Sequence, residues 1–112
     1  MMINFFELKY LIVDCFYTEY LKNNYSLDQS IGICYESFAE YTNSNGIEMV
    51  ISIAEIISLK IRHNGKINEN DKEYMISVLE LYDNLEIKDY LNEEEYEYLD
   101  EKMEIIKYYY TK

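Results

Sequence analysis

The sequence predicts an all-α protein: a compact bundle of about five antiparallel helices around a buried central helix at about residues 47–63. Three observations favour this class: the chain has no proline, only three glycines, and apolar residues that recur at spacings of three and four. A β-sandwich or barrel needs more turn residues, whereas helices can be joined by short polar turns. With no linker and no convincing internal repeat, residues 1–112 are expected to form a single helical domain.

The central helix is predicted over Ile47–His63, between two Asn-Gly pairs. Its apolar residues cover most of the helical circumference, which is typical of a helix that neighbours bury on several sides. A narrow polar strip interrupts this surface and consists of Glu48, Ser52, Glu55 and Ser58. Isoleucine and valine favour strands locally, but a strand of this length would be unusual, so length decides for a helix. We expect Gly65 to end it in the left-handed conformation.

Four further helices are predicted from apolar periodicity and capping signals. They are expected from Ile3 to Asn23, over residues 27–41, from Glu69 to Asp83-Asn84, and from Glu93 to Tyr110. Ser26 and Asn92 each precede a Gln or Glu by three residues, the spacing of a capping box, and Asn68 is the expected N-cap between them.

Two positions in these helices carry further expectations. The aromatic residues beside the apolar face of the first helix, Tyr10 included, are expected to pack in the core, and a half-exposed aromatic rim is the alternative. Gly32 lies inside the second helix, where glycine costs about 1 kcal/mol relative to alanine. We expect the close approach of another helix to explain it.

The chain carries a formal net charge of −12 at pH 7, and this charge is unevenly spread. Residues 1–68 contain eight Asp/Glu and five Lys/Arg, whereas residues 69–112 contain fourteen and five. A negative field of this size repels nucleic acid and anionic lipid and favours a basic protein partner. We therefore expect no direct nucleic-acid binding and no membrane partner, while mimicry of a nucleic acid stays open.

Localisation and cofactor use are predicted from what the sequence lacks. No apolar run approaches the ~20 residues of a membrane span, and the N-terminus has no basic leader typical of a signal peptide. Cys15 and Cys34 do not have the C-x-x-C spacing of a metal or redox site, so both are expected to be reduced core residues. A cytoplasmic protein without cofactors is predicted.

No residue pattern indicates an enzyme. The chain has no P-loop, no G-x-G-x-x-G, no Glu-x-x-His pair and no calcium loop. Its single histidine, His63, follows Lys60 and Arg62 at a helix end, where the helix dipole favours a cation. We expect no catalytic, cofactor-binding or metal-binding residues.

The last helix is the best candidate for binding a partner. It is expected to present several carboxylates and an exposed tyrosine, Tyr98, directly after Asp89 and Tyr90. Acidic surfaces speed association with basic proteins, and tyrosine is a common interface anchor. The predicted partner-binding residues are Asp89, Tyr90, Glu94, Glu97, Tyr98, Asp100, Glu101 and Glu104. A merely solvated face is the alternative. Tyr108-Tyr109-Tyr110 adds aromatic area that a monomer cannot wholly bury, so a homodimer is also considered.

The order of these elements resembles a known family. A narrow apolar seam over Leu27–Tyr41 precedes the aliphatic segment Ile47–Gly65, and Ile67 opens a helix with an acidic first turn. Leu79, Tyr82, Leu85 and Tyr90 follow. Residues 27–90 are thereby similar to small all-helical immunity proteins of bacterial polymorphic-toxin systems, in particular the family numbered three. Tyr90 stands where that pattern has a tryptophan.

The resemblance implies a cytoplasmic antidote that binds one cognate toxin, often a nuclease, and blocks its active or substrate-binding surface. It implies no catalytic residues. The leading hypothesis is an immunity or inhibitor protein that neutralises a basic toxin through its acidic, tyrosine-bearing surface. Two alternatives stay open: a phage-type antagonist, such as an anti-CRISPR or nucleic-acid mimic, and a structural homo-oligomer built on the aromatic rims of the first and last helices.

Overall fold

A computed structural model describes residues 4–112 and has six α-helices and no strand in this part of the chain. The helices are α1 (Phe5–Tyr17), α2 (Leu27–Ser37), α3 (Ala39–Thr42), α4 (Ile47–Arg62), α5 (Glu69–Asn84) and α6 (Glu93–Tyr110). A π-helical turn (Thr18–Lys22) follows α1, and a 3-10 turn (Ile87–Asp89) links α5 to α6. The Cα radius of gyration, 13.2 Å, is that of a compact globule of this length. The all-α prediction is confirmed.

The predicted central helix, α4, contacts each of the other five helices. Every residue from Ile51 to Lys60 is buried, so Ser52, Glu55 and Ser58 of the polar strip are enclosed together with the apolar residues, while Glu48 stays partly exposed. The hydroxyls of Ser52 and Ser58 each donate to a backbone carbonyl of the preceding turn, which satisfies them without water. The prediction of a buried central helix is therefore confirmed, and its enclosure is more complete than the pattern indicates.

Three of the helices begin at the polar N-cap residues that the sequence predicts. Ser26 and Asn92 form reciprocal capping boxes with Gln29 and Glu95. Asn68 is the N-cap of α5 and forms a third capping box with Asp71. The predicted start of the first helix at Ile3 lies outside the described residues, and within them Asn4 caps α1 through hydrogen bonds from two backbone amides.

One residue of the first helix that was expected in the core faces solvent instead. Tyr10 is 63% exposed, so the expectation that it packs in the core is wrong. Phe16, one helical turn before Tyr20, is fully buried and stacks on that ring with centroids 5.2 Å apart. Because α1 packs on α4 and α2, residues on the side of Tyr10 face solvent.

The predicted helix over residues 27–41 is broken at Phe38, whose φ of −112° and ψ of 24° lie outside the helical region. The chain continues as the short helix α3, and both α2 and α3 pack against α4. The predicted single helix is therefore two helices that each contact the central helix.

The expectations for Gly65 and for Gly32 are both wrong. Asn64, with φ of 61°, takes the left-handed conformation after α4, and Gly65 does not. Gly65 is required for packing instead, since a Cβ there would lie 2.5 Å from Cγ of Lys60 and 2.8 Å from Cδ2 of Leu27. Gly32, for which a close helix approach was expected, has no atom within 4 Å of a built Cβ.

A buried ion pair joins α4 to α5. The ammonium nitrogen of Lys60 lies 2.6 Å from Oδ2 of Asp71, and the two side chains are only 2% and 3% exposed. The same carboxylate oxygen accepts the backbone N–H of Asn68 at 2.9 Å. Asp28 of α2, which is exposed, lies 3.5 Å from Lys60. Asp71 therefore anchors the start of α5 to the central helix.

Candidate partner-binding surface

The helix α6 has one buried and one exposed side. Leu99, Met103 and Ile106 are buried where α6 packs on α4 and α5. The opposite side carries exposed carboxylates at spacings of three and four, which place them in one row along the helix. This row is termed the acidic stripe and consists of Glu94, Glu97, Glu101 and Glu104.

The charges of the acidic stripe are largely unpaired. Lys107 lies 3.5 Å from Glu104, and within residues 4–112 no cation lies within 4.0 Å of the other three carboxylates. Like charges at these spacings destabilise a helix by about 0.2–0.5 kcal/mol per pair. The stripe thus carries a modest cost in the free protein, which a cationic partner would relieve.

The two lysines of α6 lie over aromatic rings. The ammonium of Lys102 is 5.1 Å from the ring centroid of Tyr98, and that of Lys107 is 5.8 Å from the ring of Tyr82. Burial lowers the pKa of Lys102. These cation–π contacts hold both positive charges beside tyrosines of the bundle.

Tyr98 is not the exposed residue that the sequence predicts. Its hydroxyl donates to Oε1 of Glu55 at 2.8 Å, and Glu55 belongs to the buried part of α4. Its half-buried ring meets the edges of Phe5 and Phe6, with centroids 5.9 Å away in each case. Burial first, and then the Glu55 carboxylate, raise the pKa of Tyr98. Tyr98 connects α6 to α4 and α1.

Asp100 is likewise engaged inside the bundle. Its carboxylate accepts the hydroxyl of Tyr82 at 2.7 Å, which joins α6 to α5. Burial and this hydrogen bond raise the pKa of Tyr82. Two of the eight predicted partner-binding residues, Tyr98 and Asp100, therefore use their polar groups for hydrogen bonds between helices.

The other six predicted residues are exposed. They comprise the acidic stripe together with Asp89 and Tyr90, which lie at the 3-10 turn before α6. Tyr90, 52% exposed, lines a cleft of about 240 Å³ together with Phe5, Ile47 and Glu95. This cleft brings the turn next to the first residues of α1 and α4.

A second concavity lies at the N-terminal end of the acidic stripe. This groove of about 400 Å³ is lined by Lys88, Leu91, Asn92, Glu93, Tyr96 and Glu97. The ammonium of Lys88 lies 5.1 Å from the ring centroid of Tyr96. Because Glu97 belongs to both features, the stripe continues into a groove that has aromatic and aliphatic lining and an acidic rim.

The structure gives the histidine and the cysteines packing roles. Nε2 of His63 lies 3.0 Å from the hydroxyl of Tyr17, and its ring is 5.3 Å from Phe16, a cluster that sequence reasoning missed. Cys15 and Cys34 are free thiols. Burial, followed by the neighbouring Cys15, raises the pKa of the Cys34 thiol, which makes it a poor nucleophile.

Residues 4–112 also bear on metal binding and on membrane insertion. They contain no group of three or more His, Cys, Asp or Glu side chains placed to hold a metal ion. Within this same range, every helix is too short or too polar to cross a membrane.

A family model described as "Immunity protein Imm3" matches residues 4–109, which is nearly the whole chain. The chain belongs to the Imm3 family. Membership indicates an immunity protein against a toxin, and immunity proteins of this kind are generally not enzymes. The resemblance seen over residues 27–90 is thus confirmed and also covers α1 and α6. Searches of curated proteins and of solved structures found no match.

Proposed function

We propose that this Imm3 protein neutralises a basic toxin by placing the acidic stripe of α6 on a positively charged surface of the toxin. The supporting observation is the row of four exposed carboxylates, three of which have no cation within 4.0 Å in residues 4–112. A negative row on a protein of net charge −12 attracts lysine and arginine over a long range. The inhibitor acts in the cytoplasm of the cell that produces it.

The proposed toxin class is a nuclease. A nuclease must bind phosphates through a positively charged surface, and that surface is complementary to the acidic stripe. An inhibitor on this surface would exclude the substrate by occupying the same cations. The groove beside Tyr96 and Glu97 would take a partly apolar side chain such as arginine, whose guanidinium group stacks on aromatic rings.

The test is charge reversal on the stripe, by the triple variant Glu97→Lys, Glu101→Lys and Glu104→Lys. These side chains are exposed, so the bundle should keep its helical circular dichroism. Affinity for the cognate toxin, measured by titration calorimetry, should fall by about 100-fold or more, since like charges would face each other across the interface. The affinity of the unmodified protein should fall steeply with added salt.

A matched control variant distinguishes an effect of the acidic stripe on affinity from an effect of the total charge. Glu73, Glu80 and Asp83 are exposed on α5, and their conversion to lysine changes the total charge by the same amount. We expect this variant to lose much less affinity. An equal loss in both variants would assign the effect to total charge, and unchanged affinity of the α6 variant would place the interface elsewhere.

The homodimer considered from the aromatic rims stays a prediction. Tyr10 of α1 and Tyr108 of α6 are the exposed aromatic residues that such a contact would use. Light scattering at micromolar concentration distinguishes a dimer from a monomer.

A further inference from the structure

The outer side of α2 carries a groove that the bundle leaves open. It encloses about 480 Å³, is termed the α2 groove, and is lined by Tyr25, Gln29, Gly32, Ile33 and Glu36. Tyr25 is 45% exposed, and Ile33 is only partly buried. The α2 groove is distinct from the acidic stripe, with which it shares no residue.

Gly32 is the informative residue of the α2 groove. Glycine in a helix interior is unfavourable, because it loses more conformational freedom on folding than alanine does. Its φ is not positive, so the backbone conformation does not require glycine. A Cβ would meet no atom within 4 Å, whereas at Gly65 it would collide with Lys60 and Leu27. Contacts within the folded chain therefore explain Gly65 and leave Gly32 unexplained.

The chain beside the α2 groove departs from regular helix. The π-helical turn Thr18–Lys22 is followed by Asn24 in the left-handed conformation, with φ of 61°. Single π-helical turns occur frequently at functional sites, and left-handed non-glycine residues are uncommon. This segment packs against α2 and leaves Leu21 67% exposed, so large apolar side chains face solvent on both sides of Asn24.

The charges around the α2 groove indicate what kind of partner fits. Residues 18–42 contain three exposed carboxylates, Asp28, Glu36 and Glu40, and a single lysine or arginine, the exposed Lys22. The groove thus combines an apolar lining with an acidic surround. A matching partner presents an aliphatic or aromatic side chain flanked by cations.

From these observations we infer that the α2 groove is a second docking surface for the toxin and takes an apolar side chain that lies next to lysine or arginine. The inference rests on the proposed function for the identity of the partner as a basic toxin. It assigns that partner a second contact region, in which Gly32 provides the space for close approach.

The test uses Gly32→Ala and Gly32→Leu. Both variants should fold and melt at or above the temperature of the unmodified protein, because alanine and leucine favour helices and the Cβ has room. Toxin affinity should nevertheless fall, by about threefold for alanine and by about 100-fold for leucine, since the added atoms fill the groove. Opposite changes of stability and affinity cannot arise from unfolding.

Ser37→Leu is the matched control, since Ser37 is exposed on α2 and does not line the groove. It adds comparable apolar bulk and should leave affinity unchanged. Calorimetry with the purified cognate toxin, run beside the α6 charge-reversal variant, separates the two proposals.

If the Gly32 variants bind like the unmodified protein while the α6 variant does not, the groove inference is wrong and the proposed function stands. If only the Gly32 variants lose affinity, the groove is supported and the acidic stripe is not the contact. If Gly32→Leu changes only the self-association of the chain, seen by light scattering, the occupant is a second copy and the inference is overturned.

Discussion

Tyr98 and Tyr35 both pack in the bundle, but their hydroxyls are in opposite situations. The hydroxyl of Tyr98 donates to the buried carboxylate of Glu55 at 2.8 Å. That of Tyr35 is buried with no hydrogen-bond partner within residues 4–112, although its ring stacks on Tyr74 with centroids 4.3 Å apart. A buried group that loses its partner costs the full desolvation penalty, whereas removal of an unpaired hydroxyl does not.

Matched Tyr→Phe variants test this difference. Tyr98→Phe should lower the free energy of unfolding by about 1–3 kcal/mol, because the Glu55 carboxylate loses its donor. Tyr35→Phe should leave stability unchanged or raise it by up to about 1 kcal/mol, because its hydroxyl is buried without a partner. Urea denaturation followed by circular dichroism measures both. Equal losses would contradict the assignment of Tyr98 to the bundle.

Between helices, the ion pair of Lys60 and Asp71 combines a helix cap with a charge contact between α4 and α5. One carboxylate both caps α5 and neutralises a buried ammonium of α4. Removal of one partner of a buried pair leaves an uncompensated charge, while replacement of both can be nearly neutral. Asp28, exposed and 3.5 Å from Lys60, can compensate only in part.

A double-mutant cycle measures this coupling. Asp71→Asn should lower the free energy of unfolding by about 3 kcal/mol, since the Lys60 ammonium stays buried without its closest counter-charge. The double variant with Lys60→Met should recover much of this loss, since asparagine can still accept the Asn68 amide. Chemical denaturation of the four proteins provides the coupling energy, and strictly additive losses would rule out an energetic link between α4 and α5.

The helices could be predicted because their signals are local. The caps at Ser26, Asn68 and Asn92 lie within three residues of their partners, and the aliphatic period of α4 needs no knowledge of its neighbours. The break at Phe38 could not be predicted, because it depends on where α4 lies. The same holds for the burial of Lys60, a residue type that is almost never enclosed without a partner.

The exposed part of the candidate surface could be predicted from the sequence, because charged side chains are rarely buried. The acidic stripe is exposed for this reason. The hydrogen bonds of Tyr98 and Asp100 inside the bundle could not be predicted, since their partners Glu55 and Tyr82 lie 43 and 18 positions away in sequence. Gly32 did carry a signal, a glycine inside a helix, but only the structure shows that the space beside it is open.

The molecule as a whole should lose stability at alkaline pH. Among its fourteen tyrosines, burial raises the pKa of Tyr35, Tyr82 and Tyr98 above the ordinary value. Above about pH 10 the unfolded chain releases these phenolic protons while the folded protein retains them, so unfolding is favoured as pH rises. Lys102, with its lowered pKa, acts in the opposite direction, but it is one group against three.

The absorbance of ionised tyrosine directly measures how far the folded protein retains these phenolic protons. In the folded protein three of the fourteen tyrosines should stay un-ionised well above pH 10 and titrate only as circular dichroism is lost. The urea midpoint should fall as the pH rises above about 10. Ionisation of Tyr35, Tyr82 and Tyr98 near pH 10, with the helices intact, would contradict their raised pKa values.

The burial of most of α4 has a consequence for how such an inhibitor can change its target. Every residue from Ile51 to Lys60 is buried, so this segment offers almost no surface for recognition. The two proposed contact regions lie on α2 and α6, separate helices that each pack on α4 through their other sides. Their outward residues can be exchanged without altering the core. Diversification toward a new toxin, in nature or by grafting, can therefore proceed on either helix independently while α4 is inherited unchanged.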